Sequence, residues 1–281
     1  MSERTTTRRR QLGAMMRKLR ARKGLTLEEA GRLVGVSKAT VSRYETQSGP
    51  VKWIVIDALC REYGATDTER EAVVGLAKGA RQQGWWSSFA DSIPESMNLL
   101  LTLEDDAVRE NHFSCVYVPG LLQTRAYSTA LQKANEVPLQ QAEIDRLVDI
   151  RMKRQEILHR PQPLHLWAIL DESVIRRVVG SPQTMREQLD QLLQAIESPH
   201  VTLQVLPFSK GAHAAALGSF VMIGGTEPAL DVVYVDFHTG SLFLEKDEEL
   251  ERYRLAFEYL RAQALDMEAS SALIRRVRKE L

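Results

Sequence analysis

Leu12, Met15, Met16 and Leu19 fall at i, i+3, i+4 and i+7, an apolar stripe with Arg17, Lys18, Arg22 and Lys23 off it and Gly24 beyond. That spacing predicts a helix over about 8–23 that stops at the glycine. Thr26 followed three residues later by Glu29 makes a capping box, opening a short second helix with Leu27, Ala30 and Val34 turned inward. Gly35 ends it, Val36 bridges, and Ser37 caps a third helix over 38–46 with Val41 and Tyr44 inward. After Gly49 and Pro50, Ile56, Leu59, Cys60 and Tyr63 repeat the stripe on a fourth helix, and residues 67–81 read as a fifth. Two short helices joined by a brief glycine-containing turn form a helix-turn-helix.

Beyond residue 81 the pattern changes. Trp85 and Trp86 lead to a break at Pro94, then a helix over 95–109 with Met97, Leu100, Leu101 and Leu103 among acidic residues. FSCVYV predicts a strand at 113–118 that stops at Pro119 and Gly120. Thr124 caps a helix over 125–134, and a further helix over 138–160 is basic on one side through Arg146, Arg151, Lys153, Arg154 and Arg160. LHLWAIL (164–170) and VTLQVLP (201–207) are apolar strands separated by helical stretches over 172–179 and 182–197, which allows a parallel crossover. SFVMIG, DVVYVDF and SLFLE are further strands, the last two joined as a hairpin through His238, Thr239 and Gly240, and helices over 246–264 and 267–280 close the chain. The fold class expected is mainly α with an α+β C-terminal domain: a five-helix helix-turn-helix domain over 1–82, a helical connector over 83–111, and a mixed helix and sheet domain over 112–281.

Composition sharpens this picture at a few points. A length of 281 residues favours two cores over one. The formal net charge of zero hides an asymmetry: residues 1–61 hold 14 Lys and Arg against 5 Asp and Glu, and the remainder holds 23 against 32. A basic helical block of this kind suits a polyanion such as double-stranded DNA. No apolar run reaches the ~20 residues of a membrane span, and the start lacks the apolar core of a signal peptide. Cys60 and Cys115 are too far apart for a disulfide framework or metal-ligand spacing, so a reducing cytoplasm, no metal and no cofactor are expected. Ser219, His213, Asp236 and His238 could in principle build a triad. No nucleophile elbow, HExxH or phosphate-binding glycine loop places them, so an enzyme is not expected. For a pocket that takes an anionic effector, Arg151, Arg154 and His213 are the polar candidates.

The run LGAMMRKLRARKGLTLEEAGRLVGVSKATVSRYE resembles the DNA-binding domain of the XRE family, the phage-repressor type of helix-turn-helix, over about 8–81. The resemblance implies that the third helix lies in the major groove with Lys38, Ala39, Ser42 and Arg43 facing bases. Arg43 would be bidentate to a guanine, Lys38 would reach guanine or phosphate, and Ala39 would touch a thymine methyl. Thr26, Ser37, Arg8, Arg9 and Arg10 complete the implied contact set, Thr26 and the three arginines on phosphates. It also implies that Arg20 and Glu45 pair across the domain. The sequence departs from the family at Ala30 and Gly31, where larger residues are usual and a loosely packed second helix follows. It departs again at Leu27, where a polar residue often touches phosphate.

YVPGLLQTRAY (117–127), with RMKRQEIL, ESVIRRVVG, VTLQVLPF, GSFVMIG and VVYVDFHTGSLFLE after it, resembles the C-terminal domain of actinobacterial regulators of the WhiJ and Scr antitoxin-like kind, over about 85–281. This implies a small partner protein encoded nearby. With the helix-turn-helix, whose operators are usually paired half-sites, the expectation is a cytoplasmic, sequence-specific transcriptional regulator, homodimeric, that responds to that partner or to a small-molecule effector. Two other readings stay open. One is an antitoxin that neutralises a small partner protein and regulates its own operon, and the other is a small-molecule sensor or enzyme tethered to DNA.

Overall fold

The computed structural model describes residues 7–46, 51–79, 85, 93, 95–134, 139–215, 217–225, 231–238 and 240–281. The chain divides into two compact units, Met1–Ser88 and Phe89–Leu281. Among the described residues no helix is long and apolar enough to cross a membrane.

The first unit comprises α1 (Thr7–Arg22), α2 (Leu27–Val34), α3 (Lys38–Thr46), α4 (Trp53–Glu62) and α5 (Asp67–Gly79). The stripes seen in sequence meet in one core: Leu12, Met16 and Leu19 of α1 pack with Ala30, Val41, Tyr44, Ile56, Leu59 and Val73. The capping box at Thr26 is complete, and Gly35 ends α2 at φ 71°, in the left-handed region that glycine enters without strain. The second helix is not loosely packed. Ala30 is fully buried, and a Cβ on Gly31 would stand 2.5 Å from the carbonyl oxygen of Val36. The turn therefore closes directly onto the backbone of α2, and the Val36 amide donates to the Gly31 carbonyl at 2.9 Å. The small residues are a condition of this close approach.

Arg20 and Glu45 tie α1 to α3. Arg20 Nε and Nη2 donate to the two carboxylate oxygens of Glu45 at 2.6 and 2.9 Å, and Nη1 donates to the Leu25 carbonyl at 2.6 Å. Glu45 is 3% exposed. Its hydrogen bonds hold the Arg20 guanidinium further toward its charged form.

The second unit is a mixed sheet with helices on both faces. Its elements are α6 (Glu95–Asp106), β1 (Arg109–Ser114), α7 (Arg125–Lys133), α8 (Gln141–Arg154), β2 (His165–Asp171), α9 (Glu172–Arg176), α10 (Pro182–Ala195), β3 (Val201–Leu206), β4 (Phe220–Gly224), β5 (Val232–Phe237), β6 (Gly240–Leu244), α11 (Asp247–Gln263) and α12 (Met267–Glu280). Strand order is β3-β2-β1-β4-β5-β6. β1, β2 and β3 run parallel, so 164–170 and 201–207 are joined by the expected crossover; β4, β5 and β6 add antiparallel on the other side. The β5–β6 hairpin forms, and its Thr239 lies outside the described residues. One face buries Ala168, Leu203, Val221 and Tyr234 under α6, α7, α10 and α12, and the other buries Phe113, Ile169, Phe220 and Met222 under α11.

Several boundaries differ from expectation. The first strand lies at 109–114 rather than 113–118, and the helix before it ends at Asp106 rather than 109. The strand RENHFS carries Glu110, His112 and Ser114 on one face, because alternate residues of a strand share a face. Those polar residues conceal it from a search for apolar or β-branched runs. The preceding helix contributes Leu100 and Leu103 to the core under the sheet, and residues 155–158, expected as helix, form a 3-10 turn after α8.

The close approach at Gly31 makes a stability test possible. Gly31→Ala should destabilise the first unit by about 1–3 kcal/mol in urea unfolding, as overpacking does. Gly75→Ala on α5, where an added Cβ meets nothing within 4 Å, should be neutral or stabilising by up to about 1 kcal/mol from helix propensity. Equal effects at the two positions would contradict the packing described.

Candidate functional site

The first candidate surface is the outward side of α3. Val41 and Tyr44 point into the core and Glu45 is locked by Arg20, which leaves Lys38, Ala39 and Arg43 exposed and Ser42 half-buried. Ser37 precedes the helix and its hydroxyl accepts from the Thr40 amide at 3.2 Å. The Arg43 guanidinium donates to the Thr40 hydroxyl at 3.2 Å; neither Arg43 nor Lys38 is ion-paired among the described residues. An exposed helix with two unopposed cations and a small residue between them can enter a major groove and offer donors to base edges.

The flanking candidates are less uniform. At Thr26 the amide and hydroxyl both donate to the Glu29 carboxylate, at 2.8 and 2.7 Å. The bond from the Thr26 backbone, followed by that from its side chain, holds the Glu29 carboxyl below its ordinary range. An anion therefore already sits where a phosphate would use the Thr26 groups. Arg8, Arg9 and Arg10 belong to the start of α1, and their side chains lie outside the described residues.

The second candidate is a cavity of about 490 Å³ in the second unit. It opens beside the carboxyl end of β1, the strand with a parallel neighbour on one side and an antiparallel one on the other. His112 and Ser114 of β1, Tyr117, Gly120 and Gln123 of the following segment, Arg151 and Arg154 of α8, and Tyr234 and Asp236 of β5 supply its polar groups. Met97, Leu100, Leu131, Phe220 and Val221 supply apolar wall. The segment after β1 is thus the rim of this cavity. Its Gly120 is needed for space: a Cβ there would lie 3.0 Å from Arg151 Nη1 and 3.1 Å from Arg154 Nη1. Gln155 secures the turn by donating to the carbonyls of Gly120 and Gln123 at 2.9 and 2.7 Å.

The two arginines are held differently. Arg154 closes bidentately on Glu104 of α6, with Nε at 2.6 Å from Oε2 and Nη2 on Oε1. Arg151 Nη1 donates to the neutral Oε1 of Gln123 at 3.1 Å. Burial and the neighbouring Arg154 charge lower the Arg151 pKa to about 10. Burial, with Glu110 nearby, pushes Glu104 up to about 7 against the pull of Arg154. Glu110 is fully buried; its Oε1 lies 3.2 Å from His112 Nδ1, and its Oε2 has no hydrogen-bond partner.

Of the effector-site candidates, Arg151 and Arg154 come together at the cavity and His213 does not. His213 packs edge-on against Phe113, 5.4 Å between ring centroids, and its Nδ1 accepts from the Ala215 amide. Phe113 belongs to the opposite sheet face, which places His213 away from the arginine pair. The histidine at the cavity is His112. Sequence reasoning missed it together with Glu110, because both depend on a strand that begins at 109, and missed Glu104 of α6, because its role depends on Arg154 reaching it from α8. The alternation Glu110, His112, Ser114 ahead of Pro119-Gly120 was the available signal.

Two family models match the chain. One, described as a helix-turn-helix domain, matches residues 11–73, and one, described as a domain of unknown function (DUF5753), matches residues 97–276. No curated protein and no solved structure matches it.

The Glu104 environment predicts a pH dependence. A carboxyl whose pKa is raised in the folded state holds its proton more tightly there than when unfolded. Its stabilising contribution is therefore present at low pH and falls as pH rises from the ordinary value of 4.5 to about 7. Urea unfolding at about pH 5.5 and about pH 8 should show wild type losing stability relative to Glu104→Gln as pH rises. A constant difference would mean that Glu104 titrates normally.

Proposed function

The chain belongs to the DUF5753 family and carries a helix-turn-helix domain ahead of that region, and from this premise we propose a sequence-specific transcriptional regulator of the XRE type. The observation that carries the proposal is the outward side of α3, where Lys38, Ala39 and Arg43 are exposed on a helix whose inner side is fixed by Val41, Tyr44 and the Arg20–Glu45 pair. Arg43 reads a guanine, Lys38 a guanine or phosphate, Ala39 a thymine methyl, and Ser42 an adjacent base edge. The basic excess over residues 1–61 supplies the phosphate attraction that positions the domain.

The second unit, in this reading, supplies dimerisation and control. The paired half-sites usual for helix-turn-helix operators support a homodimer, resemblance to regulators of the WhiJ and Scr antitoxin-like type supports a small partner protein encoded nearby, and the cavity at Arg151 supports a small-molecule effector. No catalytic step is assigned to it.

Binding by the full-length chain to a duplex selected from a random pool, compared with a scrambled duplex, tests the proposal. Arg43→Ala should weaken the selected duplex by about 1–3 kcal/mol, relax one base position and leave scrambled DNA unaffected. Lys52→Ala, an exposed cation at the start of α4, should weaken both duplexes alike and reduce the salt slope by about 1. Equal loss on both duplexes for Arg43→Ala would contradict the docking.

A further inference from the structure

Of the two guanidiniums at the second unit's cavity, one has no ion pair among the described residues. Arg154 is closed by Glu104, whereas the hydrogen bond from Arg151 ends on the neutral amide oxygen of Gln123. Among the described residues no carboxylate is ion-paired with Arg151. Arg151 is half-buried, and a guanidinium withdrawn from water is costly when it lacks an anion; burial beside Arg154 lowers its pKa accordingly. The site is nevertheless built around it. Gly120 gives up its side chain to let both guanidiniums reach the backbone, and Gln123, which orients Arg151, is itself fixed by donating to the Val118 carbonyl at 2.7 Å. The wall is also apolar, at Met97, Leu100, Leu131 and Val221. Asp236, an exposed acceptor on the cavity lining, is tied to the Tyr234 hydroxyl through Ser241, with bonds of 2.8 and 3.2 Å.

We propose that this cavity binds a small amphipathic carboxylate, its anionic end on Arg151 and its hydrocarbon body against Leu100, Leu131 and Val221. A guanidinium with no ion pair of its own offers its planar fork to a bidentate carboxylate. A phosphate dianion would bring a second charge that Glu104 and Asp236 oppose. The volume of about 490 Å³ lies within the range of small-molecule sites and accommodates a chain of about eight carbons. This deepens the effector part of the reading above. It rests on that reading for the consequence, control of DNA binding, and stands apart from it for the binding itself.

Calorimetric titration of the full-length chain without DNA, using octanoate, octyl phosphate and octan-1-ol, tests the assignment. Octanoate should bind at least about tenfold more tightly than either of the others, and Arg151→Gln should bring octanoate down to the affinity of octan-1-ol while leaving octan-1-ol unchanged. No binding of octanoate, equal binding of octanoate and octan-1-ol, preference for octyl phosphate, or undiminished octanoate binding by Arg151→Gln would each overturn it. Should Arg151→Gln fail to fold, hydrogen exchange on the wild type decides: octanoate, but not octan-1-ol, should protect amides over 117–123 and 150–155, and absence of that protection counts against the site. With no DNA present, failure here leaves DNA recognition untouched, and failure to select a DNA sequence leaves this result standing.

Discussion

Glu45 carries a carboxylate into the core of the helical unit, and that is tenable because Arg20 grips both of its oxygens while also closing on the Leu25 carbonyl. A bidentate pair of this kind is expensive to break: stranding one partner costs about 3–5 kcal/mol, a large part of the ~5–15 kcal/mol that holds a domain together. The geometric effect matters more than the energy. Glu45 lies near the end of α3, so the pair fixes that helix against α1 at one end while the backbone contact between Gly31 and Val36 fixes the turn at the other. With both ends held and Val41 and Tyr44 buried, the orientation of Lys38, Ala39 and Arg43 is determined by the core.

The second unit uses the same device for a different end. Arg154 and Glu104 join α8 to α6 as Arg20 and Glu45 join α1 to α3, yet a second arginine stands beside the pair without a carboxylate of its own. In the first unit the buried charges cancel and the arrangement is structural. In the second one guanidinium has no ion pair, it lines a cavity, and the segment over it is shaped by a glycine and two glutamines. A closed pair anchors a fold, whereas a guanidinium left outside it is open to a ligand.

How much of this was legible in sequence depends on whether local signals or long-range neighbours decide the outcome. The five N-terminal helices follow from apolar spacing and from the caps at Thr26, Gly35 and Ser37, all local. Gly31 misleads there, because a small residue reads as a packing defect until the Val36 carbonyl is seen against it. In the second unit the apolar strands 165–171, 201–206 and 232–237 are visible, while β1 is not. A central strand is expected to be apolar, and β1 spends one face on Glu110, His112 and Ser114 beside the cavity. The same error misdirects the histidine assignment to His213, since which histidine lines the cavity with Arg151 depends on strand order and register. YVPGLLQTRAY reads in sequence as a turn at which a strand ends and helices begin. Its role as the turn over two guanidiniums required the approach distances at Gly120.

The central claim is that α3 reads bases from the major groove, and guanine N7 faces that groove alone. Methylation interference on a duplex selected by the full-length chain reads this directly. The account predicts at least one guanine at which N7 methylation blocks wild-type binding and ceases to matter for Arg43→Ala. Binding indifferent to N7 methylation throughout the site, or interference unchanged by Arg43→Ala, would contradict it.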